Sequence, residues 1–195
     1  MVGALMVGIC AMGTVAPVAA VSPLKGEITV SAAASLTDSF TALAKAFRVA
    51  NPKVKVRLNF GSSSTLVAQI RSGAPSDVIA AADLASVAKL VTSGHVVIAP
   101  RVFARNSMAI AVKPGNPKKV KSIRDLSRLN TIAMCGKAAP CGVYASTVLA
   151  RAGVIVKESN ITRGVDAKAT LGAVVTGDAD AAIVYKSDVI AAGKA

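Results

Sequence analysis

Short apolar runs in this chain give way, again and again, to segments whose apolar residues fall at helical spacing. Ile28 to Ala33 reads as a buried strand; Leu36, Phe40, Leu43, Ala44 and Phe47 follow on one helical face, and Asn51-Pro52 stops that helix. Val54, Val56, Leu58 and Phe60 alternate as a half-buried strand, and Leu66, Val67 and Ile70 mark a helix ended by Gly73. Pro75-Ser76-Asp77 turns into a strand over Val78 to Ala81, and Asp83 caps a helix carrying Leu84, Val87 and Leu90. Such alternation predicts an α/β fold with three layers, helices on both faces of a sheet.

The pattern loosens between Gly94 and Asn106 and then resumes. Met108 to Val112 reads as a strand closed by the turn Pro114-Gly115-Asn116-Pro117, and Ser122 caps a short helix with Ile123 and Leu126. Strands are expected over Thr131 to Met134 and Ala181 to Tyr185, with helices over Gly142 to Arg151 and Ala167 to Thr176. The break near 95–107 suggests two lobes, 25–100 and 107–185. Aromatic residues are 3% of the 195, so the core must be built from Ala, Val, Leu and Ile.

Small hydroxyl residues stand at two of the strand-to-helix joints, in Ala32-Ala33-Ala34-Ser35-Leu36-Thr37 and Gly61-Ser62-Ser63-Ser64-Thr65-Leu66. There the unpaired first-turn N–H groups and the positive end of a helix dipole face outward. Two such ends aimed at one cleft form an anion receptor that needs no lysine or arginine. In open α/β sheets ligands lie beyond the carboxyl ends of strands, and Ser35, Ser63, the cysteine loop and Tyr185 all fall at such ends. The bland alternative is that Ser35 and Ser63 are ordinary N-caps, as Asp83 and Asp166 are read to be, and that Tyr185 is a core tyrosine.

No charged residue precedes Lys25, and Val2 to Ala20 is almost wholly apolar or small, ending in Val18-Ala19-Ala20. Residues 1–20 read as an export signal peptide, with a membrane span as the rival. Export makes Cys135 and Cys141, in Cys-Gly-Lys-Ala-Ala-Pro-Cys, an expected disulfide. Metal binding competes, but His95 is the sole histidine and ligands run short. The net charge is +13, yet the longest basic cluster is Lys118-Lys119-Val120-Lys121 and no aromatics interleave for base stacking, so nucleic acid is not the expected partner. A serine hydrolase needs a base beside Ser35 or Ser63, and neither a Gly-x-Ser-x-Gly elbow nor a second histidine is present.

Five motifs occur in register over most of residues 27–190: Ile28-Thr-Val-Ser-Ala-Ala-Ala-Ser-Leu-Thr37, Phe60-Gly-Ser-Ser-Ser-Thr-Leu66, Gly73-Ala-Pro-Ser-Asp-Val78, Ala80-Ala-Ala-Asp83 and Ile183-Val-Tyr-Lys-Ser-Asp188. Their order and spacing resemble the molybdate-binding proteins that serve ABC importers. The resemblance implies a two-lobe type II periplasmic-binding-protein fold and a non-enzymatic role, capturing molybdate or tungstate outside the cytoplasmic membrane. It implies an importer permease as partner, a monomer, no cofactor, and molybdenum only as the bound oxyanion. Its ligand positions fall on Ser35, Ser63, Cys141, Ala167 and Tyr185. Hydroxyls of Ser35, Ser63 and Tyr185 and backbone N–H groups of Ser35, Ser63, Cys141 and Ala167 would donate. Cys141 stands where many relatives have alanine, and Ala167 where valine is common. A same-fold binder of sulfate or another small ligand is the alternative. Against the family pattern the chain also reads as truncated at its C-terminus, with a first lobe short of its return segment and an exposed sheet edge.

Overall fold

In a computed structural model, residues 24–193 are described; the expected signal peptide, residues 1–20, lies outside them. The chain folds around two separate sheets. The first unit runs β1 (Gly26–Ala33), a 3-10 turn (Ala34–Leu36), α1 (Thr37–Ala50), β2 (Val54–Gly61), α2 (Ser63–Arg71), β3 (Val78–Ala80) and α3 (Leu84–Thr92). The second runs β4 (Met108–Val112), a 3-10 helix (Ile123–Arg128), β5 (Ile132–Cys135), α4 (Pro140–Arg151), β6 (Ile161–Gly164), α5 (Ala167–Val175), β7 (Ala181–Tyr185) and α6 (Lys186–Ala192).

The first sheet is parallel, in the order β2-β1-β3, with Val30 paired to both Leu58 and Val78. The second has the order β4-β7-β5-β6; β5 is parallel to β6 and β7, and β4 lies antiparallel to β7. Every strand of β1, β2, β5, β6 and β7 runs directly, or within a few residues, into a helix. All those helix starts therefore lie at carboxyl edges of sheets.

The best-packed core belongs to the second unit. Leu126, Ile132, Met134, Ala145, Leu149 and Ile183 pack on one face of its sheet, and Leu171, Val174, Ala182 and Val184 on the other. The first unit is barer. On α1 only Ala44 is buried, while Leu43 and Phe47 of the expected apolar stripe are exposed. Beside the three-residue edge strand β3, an open groove of about 860 Å³ is lined by Val78, Leu84, Val97, Ile98 and Phe103 among others.

Three elements differ from the sequence expectation. Helix α4 starts two residues early because Pro140 takes its first position, where a missing N–H costs nothing. Strand β6 was not foreseen; Ile161-Thr-Arg-Gly carries a single apolar residue and becomes a strand by pairing with β5. Nor was α6, which follows β7 without a linker and ends at Gly193, whose φ of 73° suits glycine.

Candidate functional site

The starts of α2, α4 and α5 and the 3-10 turn leading into α1 meet in one small cleft, together with the end of β7. Its lining includes Ser35, Ser63, Cys141, Ala167 and Tyr185, along with Ala33, Ala34, Gly61, Ser62, Ala82, Pro140 and Asp166. All five residues singled out from the sequence thus line a single cleft, drawn from both units. No lysine or arginine is among its lining residues.

Each helix start leaves donors free. In α2 the cap is Ser62, whose Oγ accepts the Thr65 N–H at 3.1 Å, while Leu66 N–H bonds the Ser62 carbonyl. Ser63 is therefore not the cap but the first helical residue. Its own N–H and that of Ser64 have no backbone acceptor among the described residues. Ser35 is no cap either: it sits inside the 3-10 turn, and α1 is preceded by Leu36. In α4, Gly142 and Val143 donate to the Ala139 carbonyl, and Cys141 N–H has no acceptor among the described residues. In α5, Asp166 caps by accepting Ala169 N–H at 2.9 Å, and Thr170 N–H takes its carbonyl, so Ala167 N–H is left over. Asp83 likewise caps α3 through Ser86 N–H at 2.8 Å.

The hydroxyls are oriented by their surroundings. Ser63 Oγ accepts the Ala82 N–H at 2.9 Å, so its proton is free to point elsewhere. Tyr185 is 6% exposed, and its hydroxyl is buried with no hydrogen-bond partner among the described residues. Burial pushes the Tyr185 phenol well above its ordinary range, with Tyr144, Asp83 and Asp188 adding to the shift. At neutral pH it therefore remains a donor. A buried hydroxyl without a protein partner, in a cleft lined by helix starts, is a donor available to an anionic acceptor.

Two features anchor this geometry. The Cys135–Cys141 disulfide, with Cα atoms 5.7 Å apart, ties the end of β5 to the first turn of α4. Gly142 follows it, and a Cβ there would overlap the Gly136 carbonyl oxygen, so only glycine lets the loop fold back this tightly. On the other side, Asp188 accepts the Tyr185 backbone N–H at 3.1 Å and fixes the start of α6. Burial pushes the Asp188 carboxyl up to about 6; the Tyr185 N–H and Lys168 pull it down, while Asp166 and Asp38 push it up.

Sequence reasoning had not placed a carboxylate in the cleft. Asp166 lines it, with one oxygen engaged by the cap of α5. The signal was available: a cap residue directly before Ala167 must share its surroundings. Ala82 was also missed, because its role is a backbone N–H that no side chain announces.

The family model for bacterial extracellular solute-binding proteins matches residues 28–195. The molybdate-binding protein ModA of Mycobacterium tuberculosis is 36% identical over 191 residues, which cover 95% of this chain and 72% of that one. Among solved structures, the periplasmic molybdate-binding protein of Azotobacter vinelandii superposes with a TM-score of 0.73 at 24% identity, over 81% of this chain and 71% of that one. The sulfate-binding protein SubI of M. tuberculosis superposes at 0.70 with 20% identity, over 86% of this chain and 68% of that one. At those identities the two structures speak for the fold alone.

Proposed function

The chain belongs to the bacterial extracellular solute-binding proteins, and from that footing we propose that it captures molybdate or tungstate and hands it to an ABC importer. The observation that carries this reading is the buried, partnerless Tyr185 hydroxyl in a cleft lined by helix starts and free of basic side chains. Both anions are fully deprotonated tetrahedral species at neutral pH. A site made of donors satisfies them, and hydrogen bonds to a charged acceptor are the strong kind.

In this reading Ser35, Ser63 and Tyr185 donate hydroxyl hydrogen bonds, and Ser35, Ser63, Cys141 and Ala167 donate backbone N–H groups. Residues 25–100 and 107–185 act as lobes that close on the guest. The cleft encloses about 10 Å³, the lower limit for one water molecule. A tetrahedral oxyanion is larger, so entry requires the lobes to part, and closure on the anion is the signal the permease reads. The protein works outside the cytoplasmic membrane, as a monomer and without catalysis.

Sulfate carries the same charge and shape, and the Asp166 carboxylate gives hydrogen phosphate an acceptor within the lining. Calorimetric titration with molybdate, tungstate, sulfate and phosphate, backed by thermal shift, separates them. Tight binding of molybdate and tungstate with little response to the others is expected. A preference for sulfate would reassign the ligand within the same fold, and silence toward all four would sink the reading.

A further inference from the structure

We propose that Asp38 and Lys168 form a latch across the mouth of the cleft, made only while the two units are closed on each other. The latch deepens the oxyanion-binding reading and rests on it for its purpose. The Lys168 ammonium lies 3.0 Å from one carboxylate oxygen of Asp38 and 3.2 Å from the other. The two residues are 130 apart in the chain. Theirs is the one ion pair among the described residues that joins the first unit to the second. Arg57–Glu27 stays within the first, and the pairs made by Asp180, Asp125 and Glu158 stay within the second.

Each charge lies close in the chain to a cleft residue. Asp38 lies in the first turn of α1, three residues beyond Ser35, and Lys168 directly follows Ala167 in α5. Local physics explains Asp38, since an acid in a first turn complements the helix dipole. It does not explain Lys168, a cation in the first turn of α5, where the dipole disfavours it. Asp188 of its own unit, whose carboxyl Lys168 pulls down, offsets part of that cost, and Asp38 faces it from across the cleft, on the other unit. The other polar contacts where the chain crosses between units lie elsewhere. Asn106 Nδ2 donates to Ser187 Oγ at 2.8 Å, and Lys186 N–H to the Ser107 carbonyl at 2.8 Å. Both tie the crossing segment to the second unit and survive a swing of the first. Opening the cleft, in contrast, must break the Asp38–Lys168 pair. It then leaves the ammonium beside the entry route, where it adds to the attraction of an incoming dianion.

The test is the release rate of molybdate from Lys168→Met, from Asp38→Asn and from the charge-swapped pair Asp38→Lys/Lys168→Asp. It is read beside hydrogen exchange of residues 34–36 and 167–168 in the ligand-free proteins. Exposed ion pairs contribute little each, so single variants should release the anion about two- to fivefold faster. Their cleft amides should exchange faster too, and the swapped pair should restore both. Unchanged rates and exchange in the single variants overturn the latch and leave anion binding standing. Faster release that the swap does not restore overturns it too, because the residues then act other than on each other. If the wild-type chain binds no oxyanion, the binding reading fails, and ligand-free exchange still decides whether the pair holds the units together.

Discussion

At the scale of single residues, the Tyr185 hydroxyl works in two directions. Among the described residues it has no protein partner, so removing it forfeits no hydrogen bond within the fold. Facing a dianion, the same group makes a charge-assisted bond of about 1.5–3 kcal/mol. Tyr185→Phe should therefore leave the ligand-free melting temperature unchanged or raised while molybdate affinity falls at least about tenfold. Ser63→Ala makes the contrast. It removes the acceptor of the Ala82 N–H, so it should lower both affinity and stability, the latter by about 1–3 kcal/mol. Calorimetry with and without molybdate distinguishes the two. If Tyr185→Phe melts earlier and binds as before, its hydroxyl is structural. Its place at the end of a strand before Ser187-Asp188, together with the family resemblance, made Tyr185 a candidate. The missing partner that gives it a role is a property of the surrounding side-chain packing.

Among the elements, the β5–α4 corner shows how local chemistry sets a contact. Pro140 starts the helix, Gly142 allows the fold back onto Gly136, and the disulfide locks the turn that presents the Cys141 N–H. The bridge closes so small a loop that its chain-entropy contribution is about 2 kcal/mol. Its larger effect is to hold a donor still, which spares binding the cost of ordering it. Reducing the bridge, or making Cys135→Ala/Cys141→Ala, should weaken molybdate binding beyond any change in the fold as followed by circular dichroism. Equal affinity in a folded, reduced protein would show that the corner needs no brace. Helical spacing and small-residue turns made most elements legible, since those signals are local. Strand β6 and helix α6 were not, because Ile161-Thr-Arg-Gly and Lys186-Ser-Asp-Val are too short and polar to declare a state until β5 and β7 give them one.

Taken whole, the molecule is unevenly packed. The large apolar clusters draw on the second unit, whereas the first pairs three strands and leaves Leu43, Leu84, Val97 and Ile98 exposed. Apolar burial is the main source of stability, so native-state hydrogen exchange should find the first unit opening at lower free energy than β5 and β7. Equal protection across both sheets would contradict this. Anion binding, by bridging the units, should slow exchange in the first unit most. Most of the strands and helices, the helix starts with their serines and the cysteine pair were fixed by residues close together in the chain, where hydrogen bonding and spacing act over a few positions. The convergence of those starts on one cleft was decided only when two sheets closed on each other. So were the burial of Tyr185 without a partner, the Ala82 N–H turning Ser63, and the meeting of Asp38 with Lys168. Each of these joins groups far apart in sequence, and no local preference encodes such a distance.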